Sequence, residues 1–297
     1  MLQQFNTLND NLIVNINGKL SHRDEAGVSP FDSAVQNGDA VWEGLRLYDR
    51  GIFKLKEHLN RLRKSAEMLE YQGIPSDEQI TEQLRRTLAA NQMSTNVHIR
   101  LTLSRGIKYT SGLDPRINTQ GCSLFILAEH KPPVYDRSGL HLMTAIHRRP
   151  APDVLDQRIH SCNQLTSILA KLEANAANAD DALMLDTRGF LAETNATHIF
   201  IVKNAVVLTS TCDACPEGIT RATVLDLCQR NGIAAETRDI APQELLEADE
   251  MFCTGTMGEL VPVLSLDNRS IGNGDLVTLS QLISLFDSEV AIGCQSL

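Results

Sequence analysis

The sequence predicts a mixed α/β protein in two domains, and three observations carry that expectation. At 297 residues and 42% hydrophobic, the chain is long enough to bury more than one core. Apolar residues recur at helical spacing in some stretches and at strand spacing in others. Around Glu129 to Ser138 the string EHKPPVYDRS breaks all periodicity, and Pro132-Pro133 favours an extended connection. The expected division is an N-terminal domain over 1–128, a linker over 129–138 and a C-terminal domain over 139–297.

Ile13 to Ile16, followed by Gly18, suggests an opening hairpin. Leu55, Leu59, Leu62, Ala66 and Leu69 recur at helical spacing and define an apolar stripe. Ser76 followed by Gln79 reads as a capping box that starts a second helix, ending near Ala90. Val97, Ile99, Leu101 and Leu103 alternate with His98 and Arg100, the pattern of a half-buried strand through Ser104 with an arginine on its polar face. Beyond the linker, Asn163 to Ala177 reads as a helix and Ala182 to Leu185 as a strand. A turn at Asp186 to Gly189 leads to one further strand through Val202. Gly218 opens a helix to about Arg230, with Asn231-Gly232 as its stop.

The net charge of −10 and pI near 5.3 argue against an extended nucleic-acid face, while leaving room for a local basic pocket. The start, MLQQFNTLND, has neither a basic nor an apolar signal region, and runs such as Leu124 to Ala128 are too short to cross a bilayer. Seven scattered cysteines suit a reducing compartment, so the expectation is a cytoplasmic protein with no membrane partner. Cys212 and Cys215 form a C-x-x-C pair, but no second pair accompanies it, and no metal is expected. His22, His58, His98, His130, His141 and His147 show no ligand spacing and read as surface or packed histidines.

Three segments suit an anion. Gly218-Ile219-Thr220-Arg221 stands at a helix start, where unpaired N–H groups and the helix dipole favour phosphate. Thr254-Gly255-Thr256-Met257-Gly258 offers hydroxyls and a close backbone approach. Arg61, one helical turn after His58, can add a charge-assisted contact.

Together and in order, these segments resemble the fold-type IV pyridoxal-phosphate enzymes: branched-chain aminotransferases, D-amino-acid aminotransferases and aminodeoxychorismate lyases. The matching strings are GDAVWEGLRLY from Gly38 to Tyr48, then His58, Arg61 and Leu62, then ADDALMLDTRGFLAETNATHIF, GITR and ADEMFCTGTMGELVPV. The resemblance implies a smaller N-terminal α/β domain, a larger β-rich C-terminal domain, pyridoxal 5'-phosphate between them, and a homodimer. It implies that Arg61 binds the cofactor phosphate, with Ile219, Thr220 and Thr256, and that Glu193 faces the pyridine nitrogen. A carboxylate there keeps that nitrogen protonated and the ring electron-withdrawing. Arg100 is a candidate for the substrate carboxylate, with a structural salt bridge as the alternative. Trp42, the only tryptophan, and Tyr48 are candidates to line the substrate pocket, a core role being the alternative for both. The implied reaction is amino transfer between an apolar, branched-chain-like amino acid and a 2-oxo acid. A lyase reaction and a non-catalytic cofactor-binding protein are the alternatives.

Four positions depart from the family. His160, in His160-Ser161-Cys162-Asn163, occupies the place of the lysine that forms the Schiff base, and no lysine lies between Lys131 and Lys171. Imidazole forms no stable Schiff base but can still act as a base, its ordinary pKa being about 6.5. Lys171 would lie ~16 Å further along the same expected helix, at 1.5 Å per residue, too far to substitute. Gln164 follows Asn163 where a tyrosine is usual, His198 stands where an asparagine is usual, and the Gly-Pro-x-Thr step is missing at Gly274 to Thr278.

Overall fold

The computed structural model describes residues 3–297 and comprises two compact units. One holds the chain up to Pro132 together with Ile159–Asn163 and Gly293–Leu297; the other holds Pro133–Arg158 and Gln164–Ile292.

In the N-terminal unit, β1 (Ile13–Ile16) and β2 (Lys19–His22) form the expected hairpin across Asn17-Gly18. There follow α1 (Ser33–Asn37), β3 (Ala40–Tyr48), β4 (Gly51–Phe53), α2 (Leu55–Met68), α3 (Asp77–Ala90), β5 (Val97–Ser104) and β6 (Ser123–His130). The strands lie in the order β4-β3-β5-β6-β1-β2. On β5 the alternation reads out as expected: Val97, Ile99, Leu101 and Leu103 are buried, and they form one core with Leu55, Leu59, Leu62 and Ala66 of α2 and Ile80, Leu84 and Leu88 of α3. Each such valine, leucine or isoleucine stabilises the unit by about 1.5–3 kcal/mol relative to exposure. The capping box is present: Ser76 Oγ accepts from Gln79 N, and Ser76 N donates to Gln79 Oε1, satisfying two donors at the start of α3.

Two expected boundaries are corrected. Glu129 and His130 belong to β6, not to a linker, because their backbones complete a ladder with His98 and Val97 that charge alone does not break. The C-terminal stretch over 139–297 is also not continuous. Residues Ile159–Asn163 join the N-terminal unit, where Ser161 bridges Val41 along the free edge of β3.

The C-terminal unit contains β7 (Leu140–Thr144), α4 (Leu165–Ala176), β8 (Asp181–Leu185), β9 (Leu191–Thr194), β10 (His198–Lys203), β11 (Val206–Thr209) and α5 (Ile219–Arg230). These are followed by β12 (Ala235–Thr237), α6 (Pro242–Leu246), β13 (Glu250–Gly255), β14 (Glu259–Leu266), β15 (Arg269–Ser270) and α7 (Val277–Gly293). Its sheet runs β12-β11-β10-β13-β14-β7-β8-β9, with β15 on β14. Phe200 and Phe252, opposite each other on β10 and β13, stack at 5.1 Å. The single strand expected through Val202 is two strands, because the Thr194 hydroxyl accepts from both Ala196 N and Thr197 N and turns the chain there. The last strand, β16 (Cys294–Gln295), pairs with β4 in the N-terminal unit. Among the described residues no helix is long and apolar enough to cross a membrane.

The helix expected from Asn163 starts at Leu165, so His160 does not share it with Lys171. The preceding residues are extended instead: Trp42 N donates to the His160 carbonyl at 3.0 Å, and Cys162 N to the Ala40 carbonyl at 2.8 Å. Lys171 lies in the other unit, where its ammonium donates to the Asp180 carbonyl and pairs with Asp181 at 3.0 Å.

Candidate active site

In the N-terminal unit the functional side chains gather at the start of β3. The turn that feeds this strand is set by Gly38, which ends α1 in the left-handed region at φ +65° and whose carbonyl accepts from Asn163 Nδ2 at 3.1 Å. A β-carbon on Gly38 would stand 3.2 Å from Asn163 Oδ1, so the positive φ favours glycine and the neighbour leaves little room for a side chain. Asn163 thereby fastens the 159–163 segment against β3.

Along β3, Val41, Leu45 and Leu47 are buried in the core, and Glu43 is fully buried among them. Its carboxylate is held by two residues of α2. Arg61 donates from Nε to Oε1 at 2.8 Å and from Nη2 to Oε2 at 2.7 Å. His58 Nδ1 lies 2.7 Å from Oε2 and, facing a carboxylate, is the donor. His160 Nδ1 stands 3.4 Å from Oε1. Burial alone would raise the Glu43 pKa, but the charge and hydrogen bonds of Arg61, aided by His160, hold it well below the usual carboxylate range. His160 moves the other way. Burial, followed by the nearby Arg61 charge, pushes it down to about 4 against the partial opposition of Glu43, so the imidazole is neutral at pH 7.

The opposite face of β3 carries Trp42. Its ring stacks on His160 at 4.3 Å, and Arg100 of β5 sits 3.5 Å from the same ring centroid. Arg100 pairs with Gly44 and Trp42 with Thr102, so the two are diagonal neighbours on one face. The hydrogen-bond partners of the Arg100 guanidinium are neutral: Cys162 Sγ at 3.6 Å and Thr102 Oγ1 at 3.3 Å. Burial lowers its pKa, and no carboxylate among the described residues lies within ion-pair distance. The structural salt bridge weighed from sequence is therefore absent for Arg100. Tyr48 is not brought to this group. It ends the same strand six residues on from Trp42, ~20 Å at 3.3 Å per residue, with its ring against Arg46 and Phe53.

In the C-terminal unit a second group forms around His198. Glu193 is buried on β9 and pairs with buried Arg149 at 2.5 Å, rather than being a solvated hairpin residue. His198 Nε2 donates to the Pro216 carbonyl at 2.8 Å and lies 3.9 Å from Glu193 Oε2. It is packed so closely on the start of α5 that a β-carbon on Gly218 would stand 2.5 Å from its Cε1. Gly218 is the N-cap, and no side chain caps the helix, so its first turn, with Ile219 and buried Thr220, offers backbone donors. His198 also pairs across the sheet with Thr254 on β13, two residues before Thr256, which begins the turn into β14. His198 thus connects Glu193, the α5 start and the Thr256 turn.

Cys212 and Cys215 lie just before this helix start. A hydrogen bond from the Cys215 thiol lowers the pKa of Cys212, whose own burial opposes the shift. Among the described residues no group of three or more His, Cys, Asp or Glu side chains comes together as a metal site.

Two residues of these groups, Glu43 and Arg149, were not singled out from sequence. For Glu43 a signal existed, the one acid in the mostly apolar strand AVWEGLRLY; for Arg149, beside Arg148 and before Pro150, none did.

With this geometry, the chain belongs to the class IV aminotransferases: the Amino-transferase class IV family model matches residues 40–266. It is 52% identical over 267 residues to branched-chain-amino-acid aminotransferase-like protein 2 of Arabidopsis thaliana, covering 90% of this chain and 48% of that protein. The chain thus spans about half the length of that plant relative. It is 39% identical to a putative branched-chain-amino-acid aminotransferase of Methanocaldococcus jannaschii, covering 87% of this chain and 89% of that protein. The branched-chain aminotransferase of the thermophilic archaeon Thermoproteus uzoniensis, solved with norvaline, superposes with a TM-score of 0.86 at 26% identity, covering 94% of this chain and 95% of that one.

Proposed function

We propose that this chain binds pyridoxal 5'-phosphate without a covalent link at His160. With it, the chain transfers the amino group between an apolar, branched-chain-like amino acid and a 2-oxo acid, at a rate altered by that histidine. The single observation that carries the reading is the junction in the C-terminal unit. There, one histidine ties a buried carboxylate, Glu193, to the uncapped, glycine-started α5.

The donor set fits the phosphate and the ring of the cofactor. Within the C-terminal unit, the N–H groups of Ile219 and Thr220 and the Thr256 hydroxyl suit a phosphate, and Glu193 suits a protonated pyridine nitrogen. Arg61, expected on the phosphate, belongs to the N-terminal unit and has Nε and Nη2 committed to Glu43. The imine-forming amine is what does not fit, since an imidazole stands in its place. When bound, the cofactor supplies an electron-withdrawing ring that stabilises negative charge at the substrate Cα. Arg100, a half-buried cation whose hydrogen-bond partners are neutral, takes the substrate carboxylate, and the Trp42 ring limits the space beside it. His160 moves the proton. The names of the relatives as branched-chain aminotransferases support the substrate class.

The protein would act as a homodimer. Support comes from α4, where Leu165, Ile168, Leu169 and Leu172 are exposed at positions i, i+3, i+4 and i+7 while Ala170 and Ala174 face the core.

The test is product analysis of purified protein with pyridoxal phosphate, leucine, isoleucine or valine of either hand, and 2-oxoglutarate. Glutamate together with the branched-chain 2-oxo acid is the expected outcome. Pyruvate released from an aromatic precursor without an acceptor would replace this reading with a lyase. Retained cofactor with no turnover would replace it with a non-catalytic binding protein, the reading favoured by His160 itself.

A further inference from the structure

The Glu43 carboxylate is more than a counter-ion for Arg61. Two oxygens offer about four acceptor positions. Three are filled by Arg61 Nε, Arg61 Nη2 and His58 Nδ1. The remaining one, on Oε1, faces His160 Nδ1 at 3.4 Å. That nitrogen is enclosed and makes no hydrogen bond of ordinary geometry within the structure.

An imidazole has three protonation forms, and its surroundings choose among them. With Nδ1 unprotonated, its lone pair would lie 3.4 Å from a carboxylate oxygen in a buried setting, which is repulsive. With both nitrogens protonated, the ring would carry a charge close to Arg61 with only 12% of its side chain exposed. The Nδ1–H form alone places a donor against the carboxylate. It leaves the lone pair on Nε2, which no hydrogen bond of ordinary geometry among the described residues occupies. Stacking on Trp42 sets the plane of the ring, and the bond from Trp42 N to the His160 carbonyl holds the backbone that carries it. The charged and titratable groups around His160 are Glu43 from β3, Arg61 and His58 from α2, and, across Trp42, Arg100 from β5.

We propose that Glu43 is a positioning residue that holds His160 as the Nδ1–H tautomer, making Nε2 the nitrogen that accepts the substrate's α-proton. This rests on the proposed function for its last clause only. The Cα–H bond would break and an Nε2–H bond form, the electron pair staying with the substrate, where the electron-withdrawing cofactor ring would stabilise it; Glu43 would counter the imidazolium so formed through Nδ1–H, as a buried carboxylate steadies a histidine base.

The test is long-range 15N–1H correlation NMR of the histidine side chains in the full chain without cofactor, with His160 assigned by comparison with His160→Gln. The expected wild-type spectrum at neutral pH has His160 protonated at Nδ1 and bare at Nε2. A His160 protonated at Nε2, or at both nitrogens, overturns the proposal. In Glu43→Gln the amide can accept or donate, so the tautomer becomes mixed, and Glu43→Asp restores the Nδ1–H form in part. An unchanged tautomer in folded Glu43→Gln overturns the role of Glu43. If Glu43→Gln does not fold, the wild-type spectrum decides. A separate absorbance titration of the same samples with pyridoxal phosphate tests the underlying functional reading. Failure to bind the cofactor removes that reading whichever tautomer is found, and the tautomer stands or falls on the NMR alone.

Discussion

Gly218 lies so close to His198 that a β-carbon on it would stand 2.5 Å from His198 Cε1. The histidine cannot withdraw easily, because its Nε2 is bonded to the Pro216 carbonyl two residues before the glycine. Gly218→Ala should therefore displace the start of α5, costing about 1–3 kcal/mol of stability and weakening cofactor binding about tenfold or more. Thermal unfolding and a cofactor titration check both effects. Adding His198→Ala should recover most of the stability, since the clashing ring is gone.

Acid should destabilise the N-terminal unit through two histidines. Burial, with the charges of Lys131, Arg100 and Arg46, pushes His98 down to about 4, and burial with Arg61 does the same for His160. Unfolded histidines titrate near 6.5, so as pH falls below that value the unfolded chain takes up protons that the folded one refuses. Stability should decline between about pH 6.5 and 4, by at most about 1.4 kcal/mol per pH unit for each residue, and these two contribute no further loss below that. Glu43 acts lower down. Its pKa is held below 4.5, so its contribution is present above that value and is lost as pH falls through the folded pKa. Denaturant unfolding at several pH values measures the slope, which His98→Gln should make shallower.

Restoring an amine at position 160 should restore covalent anchorage. In His160→Lys, borohydride treatment of the protein with pyridoxal phosphate should leave a stable mass adduct mapping to residue 160, with a matching visible absorption band. The wild-type protein should retain cofactor without an adduct. An adduct at Lys171 or another lysine of the wild type would show that the link has moved.

The exposed stripe on α4 makes a prediction of its own. Ile168→Asp places a charge among Leu165, Leu169 and Leu172 without touching the buried Ala170 and Ala174. Light scattering should show the mass halved relative to wild type while the far-ultraviolet spectrum is unchanged.

Most helices and several strands were legible because their patterns are local. The capping box at Ser76 and Gln79 spans three residues, and the alternation on Val97 to Ser104 needs only itself. Legibility failed where distant partners decide. His58 read as an ordinary packed or surface histidine, and Glu43 as part of a string, because the bonds that define them join positions 15 and 18 apart, with His160 farther still. The extended run at Ile159 to Cys162 lacked any strand pattern, since one edge of β3 supplies its pairing. The turn at Asn195 to Thr197 was hidden inside a continuous match because Thr194 makes it with its side chain.

The return of Ile159–Asn163 to the N-terminal unit means that the chain passes between units after residues 132, 158, 163 and 292. Neither unit is a cassette that a single cut could release. A fragment ending at Pro132 would keep Glu43, His58 and Arg61 but lose His160, Asn163 and the β16 edge of its sheet. Exchanging the N-terminal unit for that of a relative is accordingly a three-segment graft, and the histidine travels with the half that precedes it in the sequence.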